Sequence, residues 1–420
     1  MYYENSCKPE RALLVALELA GEDSRPLLDE LAELAKTAGA EIVATVTQKR
    51  EAPNTATYVG SGRLQEIKEF CQNNEVDLII VDGELTPTQQ RNLEKETDIR
   101  VIDRTLLILD IFSSRAQSME GRLQVELAQY RYLLPRLAGK GISLSRQGGG
   151  QGGIGARRGA GETKLETDRR HIRRRIHALE EQLALVEERR ERTRRQRRKS
   201  GFLSVALVGY TNAGKSTLMN QLTEAGVLAE DKLFATLDPT ARALKLPDGR
   251  TVMLIDTVGL IRKLPHHLVR AFRSTLVEAA EADLIVNVCD ASSEEAQEHL
   301  RVTLDLLQEL GCADRPILSV FNKCDLADPS TLPMAGNGAI YLSALHGDGI
   351  DRLLEAMAEA LPPTRRRVVL LLPFEQGALA ARVRKEGTVH AEEYLEQGLR
   401  MECTIDQQLC AELAHYIQPE

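Results

Sequence analysis

The sequence contains no tryptophan, and aromatic residues make up only 4% of it. Its cysteines, at positions 7, 71, 289, 312, 324, 403 and 410, show no spacing typical of a metal or redox site, so reduced thiols are predicted. No apolar run is long enough to span a bilayer, and charged residues interrupt the apolar part of the N-terminus, which excludes a signal-peptide layout. These absences predict a cytoplasmic chain without a disulfide framework or a transmembrane segment.

Charge is unevenly distributed along the chain. The 420 residues should form two to four domains, and an apolar content of 43% suffices for their cores. The net charge of −8 argues weakly against a nucleic-acid partner. Residues 168–200 are nevertheless crowded with arginine. A basic helix in an acidic protein indicates local contact with a polyanion.

The string GYTNAGKST, residues 209–217, matches a phosphate-binding loop. It follows an apolar run typical of a buried strand and precedes a predicted helix, as that loop requires. Gly209 and Gly214 let backbone N–H groups face the phosphates, and the helix N-terminus adds its positive dipole. Lys215 is predicted to reach the β- and γ-phosphates, and Ser216 to place its hydroxyl on Mg²⁺. The alternative is a glycine-containing turn that binds nothing.

Two further strings extend this pattern. DTVG follows a second predicted strand, where Asp256 would hold Mg²⁺ through water and the Gly259 N–H would sense the γ-phosphate. NKCD follows a third, where Asn322 and Asp325 offer hydrogen bonds to a purine edge. A carboxylate acceptor matches the two N–H donors of guanine and leaves adenine unpaired, so discrimination against adenine can be large.

The tripeptide SAL completes the base pocket. Ala344 is predicted to donate its backbone N–H to guanine O6, while the Lys323 stem lies on the base. Leu345 stands where a lysine is commoner, so ring packing there is expected to differ. Together the four strings predict a guanine-nucleotide pocket with Mg²⁺, and hence a GTP-hydrolysing switch. The residues predicted to contact the nucleotide are Gly209, Tyr210, Thr211, Asn212, Ala213, Gly214, Lys215, Ser216, Thr217, Phe234, Ala235, Thr236, Asp256, Thr257, Val258, Gly259, Asn322, Lys323, Cys324, Asp325, Ser343, Ala344 and Leu345.

The string LFATLDPT is predicted to be the mobile loop of the switch. Thr236 is the candidate for meeting both Mg²⁺ and the γ-phosphate, Thr240 is the rival, and either could instead cap a turn. The predicted Mg²⁺ ligands are thus Ser216, Thr236 and Asp256, and the predicted catalytic residues are Lys215, Thr236 and Gly259.

The residue after DTVG is Leu260, where many GTPases carry a glutamine that positions the attacking water. A leucine cannot orient water. Slow hydrolysis is therefore predicted, accelerated by a partner that supplies or orders a catalytic group. Another residue of the chain, such as one in the Thr236 loop, could substitute instead.

The fold class predicted is a multidomain α/β protein. Residues 1–110 alternate strand-like and helical runs, which predicts an N-terminal α/β domain with a parallel sheet. Within it, YVGSGRLQEI predicts a tight strand-to-helix turn, with a second anion site as the less favoured alternative. Residues 201–363 should form the central P-loop GTPase domain, a mostly parallel sheet with helices on both faces, and residues 364–420 a small C-terminal α+β domain.

Residues 111–200 are predicted to form a long antiparallel helical hairpin. Leu123, Leu127, Tyr130 and Leu134 share one helical face, and apolar positions from residue 165 to residue 186 show coiled-coil spacing. The glycine-rich stretch between them cannot build a core and would form a flexible tip. Its arginines, Arg146, Arg157 and Arg158, are predicted to contact RNA phosphates, with a plain linker as the alternative. Because the leucine seam can close within one chain, a monomer is expected.

The chain resembles the HflX family of the Obg–HflX superclass over nearly its whole length. The resemblance is carried by GGIGARRGAGETKLETDRR, YVGSGRLQEI, IDRTLLILDIFSSRA, GYTNAGKST, LFATLDPT and DTVGLIRKLPHHLV. Phe is usual in that family where Leu260 stands, so the apolar character is kept. The resemblance implies a GTPase that binds the large ribosomal subunit near the peptidyl-transferase region, with the glycine-rich tip facing rRNA. It further implies splitting or rescue of stalled ribosomes under stress, with hydrolysis stimulated by the ribosome and releasing the protein.

Two other functions fit the same motifs. One is a GTPase that acts in large-subunit assembly or RNA remodelling and prefers precursor particles. The other is a signalling switch that recruits a protein partner through the N-terminal domain.

Overall fold

The structure is a computed structural model of the chain. It describes residues 8–19, 25–137, 156–199, 203–223, 233–234, 240–262, 281–312, 315–327, 338–362 and 365–418. In this part of the chain every cysteine is a free thiol, as predicted. No helix within these ranges is both long and apolar enough to cross a membrane.

The N-terminal domain is built on a four-stranded parallel sheet with the order β2-β1-β3-β4. The central strands β1 and β3 carry almost continuous apolar side chains because helices cover both faces of the sheet. The strands are β1 (Arg11–Glu18), β2 (Glu41–Lys49), β3 (Leu78–Val81) and β4 (Arg100–Asp103), and the helices between them are α1 (Arg25–Thr37), α2 (Ser61–Asn73) and α3 (Pro87–Thr97).

Helix α3 was not predicted, because its sequence, PTQQRNLEKET, has almost no apolar stripe. Its start signal is nevertheless present. The Thr86 hydroxyl accepts from the Gln89 N–H, Gln89 reaches back to the Thr86 backbone, and Pro87 occupies the first turn. A capping box can therefore locate a helix where hydrophobic periodicity cannot.

Residues 104–136 form two helices, α4 (Arg104–Arg115) and α5 (Met119–Arg136). The chain turns at Ala116, and Ser118 caps α5 by accepting from the Gly121 N–H at 2.9 Å. Because of this break, α4 packs in the core, whereas α5 runs along the long helix that follows it in the chain.

Helix α6 (Ala156–Lys199) runs for 44 residues and pairs with α5 in the predicted hairpin. Leu179 is fully buried between Leu123 and Leu127, with Tyr130 packed beside them. Ion pairs flank this seam, including a two-bond pair from Arg175 to Glu126 at 2.8 and 3.0 Å. The coiled-coil spacing thus identified the correct partner helices.

The arginine-bearing tip differs from the prediction. The main chain of Arg157 and Arg158 lies in the first turn of α6, not in a loop, because Ala, Arg, Glu and Lys favour helix strongly enough to carry Gly159 and Gly161 with them. Arg146 lies outside the described residues, as do the side chains of Arg157 and Arg158.

The central domain contains a six-stranded sheet with the order β10-β9-β8-β5-β7-β6, in which only β6 is antiparallel to its neighbour. Its phosphate-loop strand, β5, lies between β8 and β7, so the motif-bearing loops meet at the carboxyl edge of the sheet. The elements are β5 (Ser204–Gly209), α7 (Lys215–Thr223), β6 (Thr240–Lys245), β7 (Thr251–Asp256), β8 (Leu284–Asp290), α8 (Ala296–Glu309), β9 (Ile317–Asn322), β10 (Ile340–Tyr341) and α9 (Ile350–Ala360).

The C-terminal region is a three-stranded antiparallel sheet with the order β11-β13-β12, and helices lie against it. Alternate residues of β13 are buried, as expected for a sheet covered on one face. The elements are β11 (Arg365–Leu372), α10 (Gly377–Glu386), β12 (Thr388–Leu395), β13 (Gly398–Asp406) and α11 (Gln407–Glu412).

We expect Leu179→Ala to destabilise the hairpin by about 2–4 kcal/mol, because the truncation leaves a cavity where no water reaches. The control is Leu185→Ala on the same helix, whose side chain is 58% exposed and should matter by less than about 0.5 kcal/mol. Native-state hydrogen exchange of the α5 amides measures both. Equal effects of the two substitutions would contradict the buried seam.

Candidate functional site

The phosphate loop turns at two glycines that no other residue could replace without displacement of neighbours. Gly209 has φ 154°, and a Cβ there would lie 2.0 Å from the Val288 carbonyl oxygen. Gly214 has φ 87°, and a Cβ there would lie 2.2 Å from Nδ2 of Asn322. The loop is therefore held tightly against β8 and β9, with its N–H groups at the start of α7.

Lys215 is buried beneath this loop. Its ammonium donates to the carbonyls of Gly209 at 3.0 Å and Tyr210 at 2.8 Å, which leaves one of its three protons to point elsewhere. Burial lowers the pKa of Lys215 to about 8, and the Asp256 carboxylate opposes that shift. An anion beside the ammonium would restore its charge, so the site is suited to a phosphate.

Two of the three predicted magnesium ligands lie together. The Ser216 hydroxyl donates to Oδ2 of Asp256 at 2.9 Å, where α7 begins and β7 ends. A hydroxyl beside a fully buried carboxylate is a hard-oxygen donor set that suits Mg²⁺. Thr236 lies outside the described residues. Its rival, Thr240, begins β6 and pairs in register with Asp256.

Asn322 joins the phosphate loop to the SAL loop. Its Nδ2 donates to the Ala213 carbonyl at 2.9 Å, and its Oδ1 accepts from the Ala344 N–H at 2.9 Å. The sequence predicted that both residues would face the purine. Here the Asn322 side chain braces the two loops, and the Ala344 N–H is one of its hydrogen-bond donors.

Asp325 is the acidic group at the base end of the site. A hydrogen bond from Ser343 lowers the pKa of its carboxyl group, which keeps the acceptor ionised. Lys323 adopts φ 64°, and its ammonium lies 2.7 Å from the Asp290 carboxylate. Leu345 is 71% exposed, so it is free to lie against a ring.

Several predicted contact residues turn their side chains away from the phosphate loop. Phe234 packs edge-on against Phe112 of α4, with ring centroids 4.6 Å apart. Thr257 donates its hydroxyl to the Leu207 carbonyl at 2.7 Å. Leu260, which was not a predicted contact, is 1% exposed and belongs to the same buried cluster as Phe112. These side chains are thus engaged in packing or hydrogen bonds within the protein.

The Tyr210 side chain also points away from the loop, into the interface with the N-terminal domain. Its hydroxyl bonds to Glu30 of α1, and its ring stacks on His299 with centroids 3.8 Å apart. Glu30 in turn pairs with Arg104, which is 1% exposed and also pairs with Asp82 at 2.8 Å. We call Glu30, Asp82, Arg104 and Tyr210 the interdomain hub.

Sequence reasoning missed the hub because its members are scattered through the chain. The one available signal was Arg104, a charged residue inside a strongly apolar run. A charge in such a position demands partners from elsewhere in the fold.

A cavity of about 550 Å³ lies beside the phosphate loop, between α1 and α8. Tyr210 and Asn212 form its loop side, and Glu30, Glu295 and His299 belong to its wall. The phosphate loop and the N-terminal domain therefore line the same cavity.

Three family models match the chain in succession. They are described as "GTP-binding GTPase N-terminal" for residues 25–113, "GTP-binding GTPase Middle Region" for 115–197 and "50S ribosome-binding GTPase" for 204–323. Together with the loop geometry, they define a P-loop GTPase, an enzyme that hydrolyses GTP.

The curated relatives are more specific. GTPase HflX of Caldanaerobacter subterraneus is 49% identical over 97% of this chain and 94% of its own, and GTPase HflX of Escherichia coli K12 is 42% identical over 93% and 92%. The chain belongs to the HflX family of GTPases. Among solved structures, a GTP-binding protein of Sulfolobus solfataricus in complex with GDP is 26% identical over 84% of this chain and 98% of that one, with a TM-score of 0.44.

Asp325→Ala should weaken GTP binding by about 100-fold or more, because two guanine N–H groups lose a charged acceptor worth about 1.5–3 kcal/mol per bond. ATP binding should not change. The control is Asp351→Ala, which removes an exposed carboxylate from the first turn of α9. Isothermal titration with both nucleotides makes the comparison. An equal loss for ATP and GTP would show that Asp325 does not read the base.

Proposed function

We propose that this GTPase binds the large ribosomal subunit and splits or rescues stalled ribosomes under stress, as a monomer in the cytoplasm. The observation that carries the proposal is helix α6. It contains fourteen arginines and two lysines against eight acidic residues, in a chain whose net charge is −8. At 1.5 Å per residue it is about 66 Å long, long enough to carry positive charge well away from the nucleotide site.

Ion pairs with α5 hold the basic helix in place, so its arginines have a fixed position on the surface. Arg175 and Arg190 pair with Glu126 and Glu120 of α5, and these bonds hold the two helices together. Arg173 and Arg174 are exposed and remain directed to solvent. An ordered arginine face loses less conformational entropy on binding phosphates than a disordered segment does.

The predicted tip residues fit this scheme. Arg157 and Arg158 begin α6 at the end of the helix that adjoins the glycine-rich stretch. With Arg146 they are proposed to contact rRNA. The family description "50S ribosome-binding GTPase" supports the same partner.

The nucleotide chemistry is assigned to residues of the central domain. Lys215 would hold the β- and γ-phosphates, and the Gly259 N–H would meet the γ-phosphate. Ser216, Thr236 and, through water, Asp256 would hold Mg²⁺. The bound metal would neutralise charge that develops on the phosphates. The hydroxyl–carboxylate pair of Ser216 and Asp256 supports this assignment.

A role in large-subunit assembly needs the same basic helix and the same switch. It differs in preferring precursor particles. A signalling switch with a protein partner is favoured by the close contact between the N-terminal domain and the phosphate loop. It differs in not needing the arginines of α6.

With a non-hydrolysable GTP analogue, the protein should co-sediment with the large subunit and reduce the population of intact ribosomes, whereas with GDP it should do neither. Replacing both Arg157 and Arg158 by Gln should weaken co-sedimentation about tenfold or more at physiological salt, since phosphate contacts dominate such binding. Sucrose-gradient sedimentation measures both effects.

The matched control is a double Arg382→Gln, Arg384→Gln variant, which removes the same charge from the C-terminal domain, where both arginines pair with local carboxylates. It should bind as the unaltered protein does. Preference for precursor particles would favour the assembly role. Binding that ignores Arg157 and Arg158 would overturn the proposed rRNA contact.

Hydrolysis should be slow in the isolated protein and at least tenfold faster with large subunits. Leu260 is buried in the core between domains and cannot orient water, so a group from the partner must do so. Phosphate release under single-turnover conditions measures the rate. Fast hydrolysis without ribosomes would show that the chain supplies its own catalytic group.

A further inference from the structure

The Arg262 main chain is held on both sides by side chains from distant parts of the chain. Its N–H donates to the Tyr210 hydroxyl at 2.8 Å. Its carbonyl accepts from Nη2 of Arg104 at 3.1 Å. Tyr210 belongs to the phosphate loop and Arg104 to the N-terminal domain, so one residue shortly after Gly259 connects both.

The side chains that hold Arg262 are themselves fixed. Arg104 is tied to Asp82 and Glu30, and Tyr210 donates to Glu30. Burial raises the pKa of Tyr210, and the Glu30 carboxylate raises it further, so the hydroxyl stays protonated. It can therefore donate to Glu30 while accepting from the Arg262 N–H.

The segment before Arg262 runs along the phosphate loop. The Leu260 N–H donates to the Gly209 carbonyl at 3.1 Å, and the Thr211 N–H donates to the Leu260 carbonyl at 2.8 Å. A Cβ on Gly259 would lie 3.3 Å from Nζ of Lys215. Gly259 is thus adjacent to the ammonium that would bind the γ-phosphate.

We propose that Tyr210, Glu30 and Arg104 are positioning residues for GTP, which hold Arg262 so that the Gly259 N–H can meet a γ-phosphate bound to Lys215. The N-terminal domain then contributes directly to discrimination between GTP and GDP. We call Tyr210, Glu30 and Arg104 the Arg262 clamp. Because GDP has no γ-phosphate, the affinity for GDP does not depend on this clamp. The inference rests on the nucleotide roles proposed for Lys215 and Gly259, and it is independent of ribosome binding.

Tyr210→Phe tests the clamp, because it removes the hydroxyl and leaves the ring stacked on His299. Affinity for a non-hydrolysable GTP analogue should fall about three- to tenfold, the loss expected for one hydrogen bond. GDP affinity should stay within about twofold. Arg104→Lys should act in the same selective way, since an ammonium cannot reproduce the forked contacts to Asp82, Glu30 and the Arg262 carbonyl. Fluorescent nucleotide titration of the full chain gives both constants.

The control is Tyr132→Phe, which removes another buried hydroxyl, one that donates to Asp103 at 3.0 Å in the N-terminal domain. It should leave the ratio of the two affinities unchanged. If Tyr210→Phe weakens both nucleotides equally, leaves the ratio unchanged or tightens the GTP analogue, the clamp is overturned. If the unaltered protein binds neither nucleotide, the proposed pocket itself fails, and the two failures are therefore distinguishable.

Discussion

A buried arginine organises the junction on which the nucleotide site depends. Arg104 opens α4 with its guanidinium 1% exposed, and a charge in that position persists only with partners around it. Those partners come from the residue that follows β3, from α1 and from the segment after DTVG. The N-terminal domain is consequently fixed to the GTPase domain beside the phosphate loop and the segment after DTVG.

Apolar packing reinforces the same junction. Phe234 and Leu260, which both follow the phosphate loop in the sequence, belong to one buried cluster with Phe112 and neighbouring residues of α4. The segments expected to move on hydrolysis are thus anchored at one end in the N-terminal domain. Through α4 this junction is in contact with α5, and through α5 with the basic hairpin.

The strand and helix on either side of the phosphate loop, and the helical hairpin, were largely predictable. The residues of each motif are near neighbours in sequence, and hydrophobic spacing predicted that Leu127 and Leu179 would share a seam. The tip was less predictable. Glycine-rich composition suggested a loop, whereas helix-forming residues extend α6 back through Arg157 and Arg158. Likewise α3 escaped notice, since a polar helix carries no hydrophobic period.

The sequence by itself determined the chemistry: a phosphate loop and a family that hydrolyses GTP. It did so because each motif places its atoms through local backbone geometry. Only the tertiary structure decided that Asn322 braces two loops, that Tyr210 faces away from the phosphates and that Arg104 holds Arg262. The residues joined by these contacts lie far apart in the sequence. The separation is 22 positions for Asn322 and Ala344, 158 for Arg104 and Arg262, and 180 for Glu30 and Tyr210. They arise from the packing of sheets and helices against one another, which a local sequence pattern does not predict.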